Sequence, residues 1–489
     1  MPQYKVKVKW GKESYQVDVN TDEPPELFKG QIFTLTGVLP ERQKVMIKGI
    51  TLKDDEWGNF KLKDNVTVLL MGSKEEDVPK EPVEKTVFVE DMNESELATV
   101  LDLPAGLNNL GNTCYMNATV QCLKTVPELR EALQTYQEVV TVPGGLMPAQ
   151  SITAALKDLY TMMDKGRTVP PIVLLQVLHM AFPRFSEKND QGLFAQQDAN
   201  EFWTELVRML QQKLPLKSIE TSSSQQNFKS LIDQYFGGAF DVELKCDEAP
   251  DEPVTKSKEQ FLQLSCFMSM EVRYMHSGLK SKMQEQITKK SLSLDRDAVY
   301  TKTSKISRLP AYLTIQFVRF FYKEKGAINA KVLRDVKFPI EYDAYELCTP
   351  ELQEKLTPVR SKFKELEDAL VENPAAKEKK SKGDGKTSEE TRYAPYWFED
   401  DVGSNNSGYY TLQAVLTHKG RSSSSGHYVG WIRIAGNKWV KCDDDTVTPV
   451  TEEEILKLSG GGDWHCAYVL LYGPRLLEIQ DVTEKMQTD

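Results

Sequence analysis

Between Ser73 and Glu96 the chain runs through charged residues and prolines with too few apolar side chains to bury, so the segments on either side of it must fold around separate cores. We read 76–103 as a flexible acidic linker that divides the 489 residues into a small head and a body with ample length for a large core. The head, 1–75, carries 12 basic and 11 acidic residues, leaving 49 and 61 for the rest, so it is +1 against −12. An overall charge of −11 argues against nucleic acid as a partner. Seven cysteines without a CxxC pair fit reduced thiols, hence cytosol or nucleus, better than a disulfide framework. No run approaches the roughly 20 apolar residues of a membrane helix, and the N-terminus alternates polar and apolar residues where a signal peptide would be continuously apolar.

Within the head, Lys5–Trp10 and Tyr15–Val19 alternate apolar and polar residues around the turn Gly11-Lys12-Glu13, the pattern of a hairpin. Asp22-Glu23-Pro24-Pro25 then opens a helix predicted over Glu26–Thr36, and Val45–Gly49 and Val66–Met71 read as strands. The set predicts a small α+β roll of the ubiquitin-like, β-grasp kind. A second domain begins near Pro104 and extends over 104–475, helix-like first and strand-like later, as in Leu309–Phe321 and Tyr409–Asp443. The charged stretch 355–391, most biased over Lys377–Lys386, is expected to be a disordered insertion in a surface loop. Its lysine cluster reads as a solvated charge run, with a nuclear signal as the alternative. Residues 476–489 form a C-terminal tail.

Cys114 stands where the Gly/Asn-rich run Gly106–Asn112 becomes a helix. A cysteine nucleophile reacts as its thiolate, and the unpaired N–H groups and positive dipole end of a helix N-terminus favour that anion. Cys122, deeper in the same helix, fits core filling. Such a nucleophile also needs a base and a polar group to orient it. Among five histidines, His427 follows the run Ser422-Ser423-Ser424-Ser425-Gly426 and opens a strand that turns at Ala435-Gly436-Asn437 and returns to Asp443-Asp444-Asp445. With a three-residue loop, 429 faces 443, which puts Asp443 diagonally beside His427 on one face of the hairpin. A bulge would substitute Asp444 or Asp445. His179, His276, His418 and His465 have no acidic residue at hairpin spacing and read as structural.

Gly106–Asn117, containing Asn-Leu-Gly-Asn-Thr-Cys-Tyr-Met-Asn, resembles the cysteine box of the ubiquitin-specific proteases, and Gly426-His427-Tyr428 with Asp443 resembles their histidine box. Gln196–Phe202 between them is similar to the family's Gln-Asp-Ala-x-Glu-Phe segment. The resemblance, over about Pro104–Gly473, implies a papain-like thumb and palm with a strand-built fingers region. It implies a thiol deubiquitinase in which Cys114 attacks the isopeptide carbonyl, His427 acts as general base and acid, Asp443 orients His427, and Asn109 donates to the oxyanion. Gln197, Asp198 and Glu201 would contact the ubiquitin tail, with helix capping as the other reading of their acidic pair. With the ubiquitin-like head, the Ser-rich loop and Gly460-Gly461-Gly462-Asp463-Trp464, the likeness is to proteasome-associated members of the family. It implies ubiquitin and ubiquitin chains as substrates and docking of 1–75 on the 26S proteasome regulatory particle. The protein would then be cytoplasmic with a possible nuclear pool. No cofactor or metal is implied: zinc-binding family members carry paired CxxC motifs, whereas only the single cysteines Cys246 and Cys266 occur in the fingers region. Cys442 replaces a frequent aromatic residue before Asp443, for which local repacking is expected. The head ends Leu69-Leu70-Met71-Gly72-Ser73 without Gly-Gly and reads as a permanent docking module. Ser422, Ser423, Ser424 and Ser425 form either a gate over the cleft or a tolerated surface loop. A catalytically silent ubiquitin-binding scaffold is the alternative function.

Overall fold

The computed structural model describes residues 3–53, 56–73, 103–140, 145, 147–189, 192–217, 228–291, 293–323, 328–372, 392–422, 425–462 and 464–479. The chain divides into two compact units, Met1–Met92 and Asn93–Asp489. Apart from Leu103, the stretch read as a linker lies outside the described residues.

In the first unit, β1 (Gln3–Trp10) and β2 (Glu13–Asn20) pair antiparallel from Gln3 with Asn20 to Trp10 with Glu13. Gly11, at φ 56°, supplies the left-handed backbone that so tight a turn needs. Helix α1 (Pro25–Thr36) starts on Pro25, whose missing N–H has no helical partner to lose, and stops at Gly37 in the left-handed region. With β3 (Lys44–Ile47), β4 (Ile50–Thr51) and β5 (Thr67–Met71) the sheet order is β2-β1-β5-β3-β4, β1 and β5 running parallel. Phe28 and Ile32 of α1 pack on Val6, Val8, Val17, Val45, Val68 and Leu70, giving a β-grasp core.

The second unit begins with β6 (Gly106–Leu107), α2 (Cys114–Leu123), α3 (Pro127–Thr135), α4 (Pro148–Met163), β7 (Thr168–Val169), α5 (Ile172–Ala181) and α6 (Ala199–Lys213). In α6 the positions Phe202, Trp203, Leu206 and Leu210 are buried and Glu201, Thr204 and Arg208 face solvent, the 3.6-residue pattern of a helix with one apolar face. The chain continues through α7 (Leu231–Phe236), β8 (Gly238–Cys246), β9 (Thr255–Phe261), β10 (Leu264–Phe267), α8 (Met275–Lys280), β11 (Gln284–Ser291) and β12 (Arg296–Arg308). Then come β13 (Leu313–Val318), β14 (Phe320–Lys323), β15 (Ile328–Lys331), β16 (Glu341–Asp343), α9 (Pro350–Glu372), β17 (Tyr409–Ser422), β18 (Ser425–Ala435), β19 (Lys438–Asp443), β20 (Thr446–Val450), α10 (Glu452–Leu456) and β21 (Cys466–Pro474).

These strands make a fingers sheet ordered β11-β12-β8-β9 and a palm sheet whose main path is β10-β13-β21-β17-β18-β19-β20. The thumb helices share one core with the near face of the palm, where Ala118 and Cys122 of α2 meet Tyr428 and Ile432 of β18. Gly430 permits that approach: a Cβ there would stand 3.2 Å from the Ala118 carbonyl oxygen. A second core, including Ile315, Val415, Val429, Trp431 and Leu470, lies on the other face of the palm.

The expectation of a disordered insertion over 355–391 is corrected for its first half, because α9 continues to Glu372. Leu352, Leu356 and Phe363 are buried along one side of α9. Arg360 forms a two-pronged pair with Asp343 at 2.9 and 2.7 Å and lies over the rings of Tyr345 and Tyr409. Residues 373–391, with the whole of the lysine cluster, and 480–489 of the tail lie outside the described residues. Cys246 sits in a small fingers core with Ala298 and Tyr300, while Cys266 belongs to the second palm core. No helix among the described residues is long and apolar enough to cross a membrane.

Candidate active site

The loop before α2 is shaped by side chain to backbone hydrogen bonds. Asn109 Oδ1 accepts from the N–H groups of Gly111 (3.0 Å) and Thr113 (3.2 Å), and Thr113 Oγ1 accepts from Leu110 N–H at 2.9 Å. Gly111 and Asn112 turn through the left-handed region, at φ 103° and 55°, where glycine and asparagine are favoured. The chain then enters α2 at Cys114, which is 3% exposed and stands among N–H groups that no helical carbonyl satisfies.

Across from α2, the β18–β19 hairpin takes the register predicted from sequence: Gly430 pairs with Cys442 and Arg433 with Trp439, with a bulge next to the turn. His427 and Asp443 therefore meet diagonally, His427 Nε2 to Asp443 Oδ1 at 2.6 Å. Cys114 is the imidazole's second side-chain partner. The hydrogen bond to Asp443, then that to Cys114, pushes the His427 pKa up to about 10 against the opposing effect of burial. Reciprocally, the bond to His427 holds the Asp443 carboxyl well below the usual carboxylate range, aided by Lys441, whose Nζ lies 2.6 Å from Oδ2.

Asp444, an alternative orienting residue by sequence, does different work. Its backbone is left-handed at φ 53°, and its carboxylate accepts from Asn109 Nδ2 and Asn117 Nδ2, each at 2.8 Å. Its carbonyl oxygen accepts from Leu107 N–H at 2.8 Å. The turn after Asp443 is thus tied to the cysteine loop and to the first turn of α2. Gly106 allows the contact, since a Cβ there would stand 2.3 Å from the Asp445 carbonyl oxygen. Asn109 Nδ2 carries a second N–H beyond the one given to Asp444.

The residues of the glutamine segment separate. Asp198 caps α6, accepting from the N–H groups of Asn200 (2.8 Å) and Glu201 (3.1 Å), and also accepts from Tyr468 OH at 2.9 Å. Burial raises its acid above the ordinary value despite these bonds. Glu201 pairs with Arg184 at 3.1 Å, and Gln197 Nε2 donates to the Ala195 carbonyl at 3.4 Å. The capping reading thus describes Asp198 in this structure.

Beside Asp198, an aromatic cluster of Phe320, Tyr428, Tyr468 and His418 was missed in the sequence, where only Tyr428, adjacent to His427, gave a signal. Desolvation first, then Lys331, lowers the His418 pKa to about 3, so its ring is neutral. His465 Nδ1 meets Thr417 Oγ1 at 3.3 Å. His276 has an acidic partner after all, Glu346 at 2.8 Å, brought from the short 3-10 turn Tyr345–Leu347 and not from a hairpin. Ser422 pairs with Ser425 to close the β17–β18 hairpin, and Ser423 and Ser424 lie outside the described residues.

Among the described residues, His427, Asp443 and Asp444 are the one group of three ligand-type side chains close enough to share a metal ion. Their ligand atoms are already engaged by one another, Lys441, Asn109 and Asn117, so the arrangement fits thiol chemistry better than metal chemistry.

A family model described as ubiquitin carboxyl-terminal hydrolase matches residues 105–472, and one described as the ubiquitin family matches 5–75. Ubiquitin carboxyl-terminal hydrolase 14 of Caenorhabditis elegans is 42% identical over 97% of this chain and 94% of its own length. Ubiquitin carboxyl-terminal hydrolase 7 of Arabidopsis thaliana is 40% identical over 97% of this chain and 99% of its own. Among solved structures, the SAGA Ubp8/Sgf11/Sus1/Sgf73 DUB module bound to ubiquitin aldehyde matches at a TM-score of 0.51 and 20% identity, over 78% of this chain and 74% of that one, which shows a common fold.

Proposed function

The chain belongs to the ubiquitin carboxyl-terminal hydrolase family and is a cysteine-type deubiquitinase with a ubiquitin-like domain, and on that premise we propose that Cys114, His427 and Asp443 are its catalytic residues. The observation that carries the proposal is His427 bonded on one side to Asp443 at 2.6 Å and on the other to Cys114.

In the reaction, the Cys114 sulfur attacks the carbonyl at the ubiquitin C-terminus, its proton held by His427. The resulting oxyanion takes a hydrogen bond from the second N–H of Asn109, in a site where such donors act most strongly when already oriented. Collapse breaks the C–N bond, and His427 protonates the departing lysine amine. Water then attacks the thioester with His427 as base, releasing ubiquitin and restoring the thiol. Asp443 holds the ring in the tautomer and orientation both steps need. Gln197 and Glu201 flank the ubiquitin tail, with Asp198 between them fixing the start of α6, whose first turn carries Glu201.

The ubiquitin-like domain docks the enzyme on the 26S proteasome regulatory particle, where it trims ubiquitin from proteasome substrates in the cytoplasm. Its separate core, and a strand end at Met71-Gly72-Ser73 without Gly-Gly, support a docking module that is not itself cleaved. Ser425 lies two residues before His427 on β18, which supports a gating role over the cleft for the serine run to which it belongs. Ubiquitin bearing a C-terminal electrophile should form one covalent adduct, lost in Cys114→Ala. No adduct with the wild-type chain, even with proteasomes present, would sink the assignment.

A further inference from the structure

Lys441 and Asp443 are two residues apart on β19 and so share the face that carries His427. Lys441 Nζ lies 2.6 Å from Asp443 Oδ2, while Oδ1 is given to His427. The backbone of Lys441 is paired on both sides, with Trp431 of β18 and Thr448 of β20, which fixes where its side chain starts. Its ammonium also stands 5.8 Å from the centre of the Trp431 ring, and that ring is fixed by Trp431 Nε1 donating to Thr417 Oγ1 at 2.9 Å. The Lys441 and Asp443 side chains are only 27% and 29% exposed, so their pairing is less screened than that of a surface ion pair.

We propose that Lys441 is a positioning residue of the reaction: by occupying Oδ2 it fixes the carboxylate rotation that aims Oδ1 at His427. A carboxylate presents two equivalent oxygens and rotates about its Cβ–Cγ bond, so one hydrogen bond to an imidazole leaves its plane loosely defined. A charge-assisted bond to the second oxygen defines it. Lys441 is not a further general acid or base, because it acts through Asp443 alone. This inference rests on the catalytic pair proposed above.

The test is a double-mutant cycle on the full-length chain, using turnover of a ubiquitin-fluorophore amide with kcat and KM resolved. Lys441→Met should lower kcat about fivefold to tenfold in the wild-type background and less than about twofold in the Asp443→Ala background, with KM unchanged in both. Lys441→Arg should restore most of the loss, because a guanidinium also supplies a cationic donor. Equal losses in both backgrounds, a change carried by KM, no change at all, or failure of Lys441→Arg to recover would each overturn the proposal. The Asp443→Ala single variant keeps the two readings apart. Full activity there removes the catalytic pair itself, whereas loss there with none from Lys441→Met removes only the role of Lys441.

Discussion

At the scale of single residues, Asp443 carries more than one burden. Replacing it by Asn keeps the shape but removes the charge that supports the imidazolium, and should lower kcat/KM on ubiquitin-amide by about 100-fold or more. His427 is raised to about 10 chiefly by Asp443, so in Asp443→Asn the ring loses its proton at lower pH. The alkaline limb of the rate profile should move down by about one unit or more, measured as kcat/KM against pH. For stability the sign comes from the same shifts. The raised His427 contributes fully below its unfolded value of about 6.5, and that contribution is lost as pH rises through the folded value. The lowered Asp443 contributes above its unfolded value of about 3.9, and its contribution is lost as pH falls through the folded one. The meeting of His427 and Asp443 was legible in the sequence because hairpin register is set by loop length and the period of two. The bonds from Asp444 to Asn109 and Asn117 were not, since they join residues more than three hundred positions apart and depend on one left-handed backbone angle.

At the scale of elements, the turn between β19 and β20 is fastened to α2 by the Asp444 carboxylate. Asp444→Ala removes two charge-assisted bonds, one from Asn109 and one from Asn117, while Asn117 keeps its contacts to the Leu107 and Asn108 carbonyls at 3.3 and 3.2 Å, so we expect a loss of about 1–3 kcal/mol by denaturant titration, with slower turnover. Helix α9 shows where composition misleads. Its charged outer face dominates the count of residues, yet Leu352, Leu356 and Phe363 are buried along one side. Leu356→Ala should cost about 2–5 kcal/mol, as for other fully buried leucines, whereas a disordered segment would show no change. The stripe was present in the sequence, but a sparse apolar series amid lysine and glutamate does not show which elements will cover it. The first helix of the head was easier to read because Pro25 and Gly37 mark both of its ends.

At the scale of the whole molecule, two compact units with separate cores should unfold separately. Calorimetry of the full chain is expected to give two transitions, the smaller belonging to the β-grasp unit, and a single two-state transition would contradict that expectation. The split into head and body was legible because a charged stretch cannot continue a core. The order of the palm sheet was not, because strand neighbours distant in sequence are chosen by packing and leave no local mark. The last described strand, β21, lies between β13 and β17, so the palm is completed from its middle by Cys466–Pro474. A ribosome that has released everything as far as Val450 has already delivered Cys114, His427 and Asp443, yet the seam joining β13 to β17 is still open. In chain order the three reactive groups therefore all precede the strand that closes the middle of the palm sheet.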